Sequence, residues 1–233
     1  MSVITVTGRP LIPPRGKTFR IDPNGCACSC HGRQVQPIRH HTTGMEISTV
    51  CHRCSAARTK GELASAIADA AEQYPAFDLQ VIGGRLKNEV DRLPSPYREA
   101  IRPYFAEQLF GAYHELLLMR RRGTFTEMTV PIADPIRCRE YWEMVPRGCS
   151  EWDERPERHA HFYTPRHRFF YYLVAGFSMF VLDRPGHPVG TPFPGGFRVE
   201  KRRGRFLCPI REKEGDLWYS ICNFCPADQA ETG

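Results

Sequence analysis

The chain has 233 residues, 41% of them hydrophobic, and a formal net charge of +6. That is enough apolar material for one sizeable core and excludes a chain that is disordered throughout. Residues 1–60 carry nine Lys or Arg against only Asp22 and Glu46, a charge of +7, so the basicity belongs to the N-terminal arm and the remainder is faintly acidic. Such an arm suits nucleic acid or an acidic partner surface, with a merely solvated arm as the alternative.

The N-terminus shows no basic region followed by an apolar stretch and a cleavage site. The longest apolar run, Phe169 to Leu182, spans 14 positions and includes Ser178, short of the ~18–20 residues needed to cross a bilayer. A cytoplasmic, reducing setting is therefore expected. There, the close spacings among the ten cysteines read as metal ligands rather than disulfides.

Residues 1–58 are rich in Pro, Gly and Arg and have no apolar face of their own, which predicts an irregular, metal-binding arm. It carries Cys26, Cys28, Cys30 and His31, then Cys51, His52 and Cys54. A metal would supply the folding energy that a segment so poor in hydrophobes lacks. Arg33, Arg39, Arg53 and Arg58 are the arm's candidate contacts to RNA, a ribonucleoprotein or an acidic protein.

The remaining chain, 59–233, is expected to form a mainly α-helical, bundle-like domain. Thr59 and Glu62 make a capping-box pair ahead of Leu63, Ile67, Ala71 and Tyr74, and Pro75 ends that helix. Leu79, Ile82, Leu86, Val90 and Leu93 predict a second helix over 79–92, and Ser95-Pro96 opens a longer third. Pro103 should kink its first turns. Arg120-Arg121-Arg122-Gly123 reads as a helix C-terminus with a left-handed glycine in preference to a nucleic-acid motif.

Residues 124–164 look like an irregular connection. They include Cys138, Cys149, His159 and His161, with His167 just beyond. Three histidines so close could hold a catalytic zinc, yet His114-Glu115 lacks the second histidine of a zinc-protease helix, and ordinary surface or core histidines are preferred. Thr164-Pro165 starts a helix running to about Leu182 that is apolar on nearly every face and belongs at the centre of the bundle.

The loop from Pro185 to Gly196 holds four prolines and four glycines; without a Gly-Lys-Ser or Gly-Lys-Thr and with several N–H donors missing, it is no phosphate loop. No serine nucleophile elbow or dinucleotide fingerprint appears, so acyl transfer and NAD chemistry gain no support.

A C-terminal module, 197–228, is expected as a β-hairpin with a metal knuckle. Lys201, Arg202 and Arg203 form its basic tip, a further candidate partner contact. Cys208-Pro209 and Cys222-Asn223-Phe224-Cys225-Pro226 supply three thiols toward the four ligands of tetrahedral zinc; Arg211 stands where a double knuckle would have its fourth. His187 is the first candidate for that ligand, then Cys149 and Cys138. Zinc is the expected metal, in a structural role; the alternative is an iron–sulfur cluster in a protein of anaerobic metabolism that passes electrons or helps assemble a metalloenzyme.

The stretches Gly186-His187-Pro188-Val189-Gly190, Pro192-Phe193-Pro194-Gly195-Gly196, Cys208-Pro209 and Phe224-Cys225-Pro226-Ala227 resemble an uncharacterised family of methanogenic archaea, a domain of unknown function. The resemblance covers roughly residues 95–228 and implies a cytosolic protein from a strict anaerobe. It transfers no activity, and the cysteine-rich arm looks like an extension beyond the family core.

Overall fold

Residues 44–151 and 164–230 are described by the structure, a computed structural model. Its helices are α1 (Gly44–Ser55), α2 (Lys60–Ala71), α3 (Ala76–Asp91), α4 (Tyr97–Ala106), α5 (Ala112–Arg121), α6 (Thr124–Glu127), α7 (Pro135–Glu151) and α8 (Pro165–Gly176). Three short strands follow, β1 (Glu200–Arg202), β2 (Arg205–Cys208) and β3 (Asp228–Gln229). No described helix is long and apolar enough to cross a membrane.

The apolar run forms the central helix, as its sequence requires. Phe170, Leu173 and Phe177 of the run are fully buried, and α8 packs against α1, α2 and α7. Thr164 caps it by accepting from the His167 N–H, with Pro165 at the first helical position. Tyr74 and Tyr113 meet the Phe170 ring edge-on, with centroids 4.9 and 5.1 Å away, an arrangement that adds to plain area burial. Glycine sets the approach of α7 to α8: a Cβ on Gly176 would lie 2.7 Å from Trp142 Cζ2, and one on Gly148 2.8 Å from the Tyr172 hydroxyl.

Two expectations are corrected. Residues 44–55, placed in an irregular arm, form α1, with Ile47, Cys51 and Cys54 buried; α1 packs along α7, so the helical body begins before residue 59. Residues 135–151, read as irregular, are a 17-residue helix. Pro146 masks it in the sequence, but Cys138, Tyr141, Trp142, Val145 and Cys149 are all buried and recur at helical spacing on one face. Pro146 removes one helix hydrogen bond and α7 persists because its stripe is so completely covered.

The Thr59–Glu62 capping box is present with both of its hydrogen bonds. The third predicted helix continues through Pro103 as α4, then a π turn at Glu107–Gly111, then α5. Gly123 is left-handed at φ +70°, the cap expected after the arginine triplet. Arg120 ion-pairs with Asp69 and Glu72 of α2 at 2.6 and 3.1 Å, so its role within the described residues is to tie α5 to α2. A second π turn, Phe177–Val181, extends α8.

The hairpin is tighter than expected. β1 and β2 pair antiparallel, Glu200 opposite Leu207 and Arg202 opposite Arg205, around a two-residue turn of Arg203 and Gly204 at φ +50° and +82°. Positive φ at both turn positions matches the right-handed twist of the strands. β3 adds in parallel to β2, Cys208 opposite Gln229. The proline- and glycine-rich loop folds back on the segment leading into β1: Gly190 N–H donates to Val199 O at 2.7 Å and Phe193 N–H to Phe197 O at 2.8 Å.

Candidate metal centre

The parallel pairing of β3 with β2 decides where the C-terminal cysteines lie. Cys208 ends β2, Cys222 sits in the short 3-10 turn Ile221–Phe224, and Cys225 directly precedes the chain that enters β3. All three are buried free thiols, held in one small module by the sheet.

Backbone donors face two of these sulfurs. The Ile210 and Arg211 N–H groups hydrogen-bond Cys208, and the Ala227 and Gly186 N–H groups hydrogen-bond Cys225, the latter at 3.4 Å. The Ser220 side chain hydrogen-bonds Cys222. Burial is the largest influence on all three thiols and holds them above the ordinary range, Cys222 at about 12. The hydrogen bonds and the Arg211 charge pull Cys208 and Cys225 the other way, as suits sulfurs that can become thiolates.

Arg211 thus fills the place of a fourth cysteine with a different function. Its N–H serves the Cys208 sulfur, and its guanidinium reaches Cys225 O at 3.4 Å. Among the described residues, no three His, Cys, Asp or Glu side chains stand in a ready-made metal-holding group.

His187, the expected fourth ligand, packs its ring edge-on against Phe193 at 5.6 Å, and burial pushes its imidazole down to about 4. It is the neighbouring Gly186 whose backbone touches the thiol cluster. The other candidates, Cys138 and Cys149, lie in the α1–α7 interface with Cys51 and Cys54. Cys51 feels Cys54 and Cys149 electrostatically, and Cys54 feels Cys138. Eleven residues of helix separate Cys138 from Cys149, about 16 Å, too far to share one ion. Burial raises both to about 12. Cys26, Cys28, Cys30, Arg33, Arg39, His159 and His161 lie outside the described residues.

The basic residues are largely engaged. Arg53 pairs with Asp69, Arg202 with Glu200 at 2.5 Å and Arg205 with Asp228 at 2.7 Å. Lys201 Nζ stands 5.0 Å above the Phe206 ring, and Arg203 is exposed at the turn. The Arg58 backbone joins the start of α2, its N–H donating to Glu62 at 2.8 Å. His167 is in a polar cluster, its Nδ1 3.1 Å from Arg85 and its Nε2 4.0 Å from Asp78.

Beside the thiols opens a cavity of about 590 Å³. Glu107 and Ser178, one from each π turn, line it together with Asp183 to Gly186, Pro188 and the hairpin residues Lys201 and Phe206. π turns recur at functional sites. Sequence periodicity could not reveal either, because each preserves the general helical pattern. Arg184 grips Glu115 across the cavity wall at 2.7 and 3.1 Å, and Gly186 belongs to both cavity and thiol cluster.

Residues 59–230 match the family described as an uncharacterized protein conserved in archaea, DUF2115. The chain belongs to this family. The match starts at the α2 cap, well before the residue 95 expected from the loop motifs, and it takes in the thiol module and the cavity. A UPF0305 protein of Methanocaldococcus jannaschii is 25% identical over 155 residues, 65% of this chain and 85% of that protein. One from Methanococcus maripaludis is 27% identical over 150 residues, 64% of this chain and 83% of its own length. A UPF0305 protein of Methanothermobacter thermautotrophicus is 44% identical over 58 residues, a quarter of this chain, and the aligned part spans only 37% of that relative. No solved structure matches the chain.

Proposed function

We propose that residues 197–228 form a structural zinc module of a non-enzymatic, partner-binding protein, with Cys208, Cys222 and Cys225 as thiolate ligands. The observation that carries this reading is the set of hydrogen bonds aimed at three buried sulfurs within one small sheet. Neutral buried thiols need no such donors, whereas thiolates on a metal do. The module, built of short strands and 3-10 turns, buries Val199, Ile221 and Ala227 in the helical core, and metal binding would add to that folding energy and draw the sulfurs together. The module in turn holds one wall of the cavity through Lys201 and Phe206. A ribonucleoprotein or acidic protein is the proposed partner, met by the basic arm and the exposed hairpin tip.

Elemental analysis with an absorbance spectrum on protein purified without oxygen tests the metal. About one equivalent of zinc at this module, lost when Cys222 and Cys225 are both changed to serine, is the expected result. A brown protein with acid-labile sulfide replaces zinc by an iron–sulfur cluster; metal-free protein overturns the reading. Salt-sensitive binding to a homopolymeric RNA should weaken in a chain beginning at residue 44, which retains α1.

A further inference from the structure

Two charged side chains of the cavity are left over once the others have paired. Arg184 holds both oxygens of Glu115, at 2.7 and 3.1 Å, and Lys60 pairs with Asp183. That leaves Glu107, on the π turn between α4 and α5, and Lys201, on β1, both lining the cavity. Among the described residues neither enters an ion pair, with the other or with any third group.

The fold makes room for each of them. A Cβ on Gly111 would lie 2.6 Å from Glu107 Cδ and Oε2, so the carboxylate occupies space that only a glycine at 111 leaves open. Lys201 Nζ stands 5.0 Å above the ring of Phe206, an attraction that keeps the ammonium over an aromatic part of the lining. Leu182 and Val189 add apolar surface, and Val189 is 48% exposed, a large apolar side chain left open to water at the cavity.

These remaining charges, one of each sign, select the ligand. A polyphosphate or a dicarboxylate would be repelled by Glu107 while meeting the single cation Lys201. A plain cation would leave Lys201 unmatched. At about 590 Å³ the cavity falls in the range of about 300–1,000 Å³ of clefts that take drug-sized ligands, more than one amino acid fills.

We propose that the cavity binds a short peptide with free ends and apolar side chains, its ammonium on Glu107 and its carboxylate on Lys201. The side chains lie against Leu182, Val189 and Phe206, and the Ser178 hydroxyl supplies a donor and an acceptor for a peptide group. The site does not depend on the zinc reading, since none of the groups that meet the peptide is a cysteine.

Calorimetric titration of the full chain with Leu-Leu and Leu-Leu-Leu tests it, beside the same peptides acetylated at the amine, amidated at the carboxylate, or blocked at both ends. The free peptides should bind saturably, and each block should weaken binding about tenfold or more, the loss of one charged hydrogen-bonded pair. Glu107→Gln should abolish the response to acetylation and keep the response to amidation; Lys201→Gln should do the reverse. Both positions are exposed, and circular dichroism would verify that the variants fold. Gly111→Ala, which drives the carboxylate from its place, should behave as Glu107→Gln does although the charge is kept. The proposal is overturned if neither free peptide binds saturably, or if the doubly blocked peptides bind as tightly as the free ones. It also falls if each substitution weakens every form of the peptide alike, since that is the mark of a structural role.

Discussion

The protein buries two sets of cysteines and treats them in opposite ways. Cys51, Cys54, Cys138 and Cys149 sit on α1 and α7, where backbone N–H groups are consumed by the helices and the sulfurs meet mostly side chains. Cys208, Cys222 and Cys225 sit on strand ends and turns, where backbone N–H groups and the Ser220 side chain are free to point at sulfur. Burial is nearly the same in both sets; the local backbone differs. The first set behaves as small hydrophobes filling a helix interface, and the second meets hydrogen-bond donors. Residue type and burial together therefore do not identify a metal site.

The strongest way to probe this contrast is to break the helical body without touching a thiol. A Cβ on Gly61 would lie 2.1 Å from Phe125 O and 2.8 Å from Met128 O, backbone atoms that cannot swing away. Gly61→Ala should cost about 3 kcal/mol or more in thermal or denaturant unfolding. The metal content of whatever protein remains folded should be unchanged.

Next in size is the response to acid. The folded-state value of His187 is lowered from 6.5 to about 4 by burial. Between those values the unfolded chain binds a proton that the folded chain refuses. Its contribution is thus fully present above about pH 6.5 and is lost as pH falls toward 4, to a limit of about 3 kcal/mol. In a series of denaturant titrations the His187→Leu variant should lack this part of the slope. If His187 were a ligand, that variant would release metal at neutral pH as well.

Cys54→Ser separates the two cysteine sets directly. Cys54 is fully buried, so a hydroxyl there should cost about 1–3 kcal/mol while leaving metal stoichiometry intact. Loss of metal would erase the distinction between the sets. The smallest expected effect is at the α2 cap: Thr59→Ala removes the side-chain acceptor for the Glu62 N–H, worth about 1 kcal/mol of unfolding free energy, with no change at the thiols.

Much of the helical body was legible in the chain because its signals are local. The Thr59–Glu62 pair, the Thr164-Pro165 start and Gly123 after three arginines each act within one turn of the helix they bound. α7 was not legible, since Pro146 is a strong local signal against a helix, and what overrides it is burial of Tyr141 and Trp142 against α8. α1 was missed for a related reason: its apolar face consists partly of Cys51 and Cys54, which in a basic segment read as ligands. Within the thiol module the three cysteines were visible from their spacing.

By itself the sequence determined the apolar central helix, the capped helices around it, a hairpin with glycine in its turn and the presence of three C-terminal thiols, all of which follow from contacts a few residues apart. Tertiary structure alone decided which cysteines fill a helix interface and which face backbone donors. It also decided that β3 lies parallel beside β2, with Cys208 opposite Gln229. Those outcomes depend on segments that meet only after the chain has folded, and pairing across such distances leaves no periodic trace in the order of residues.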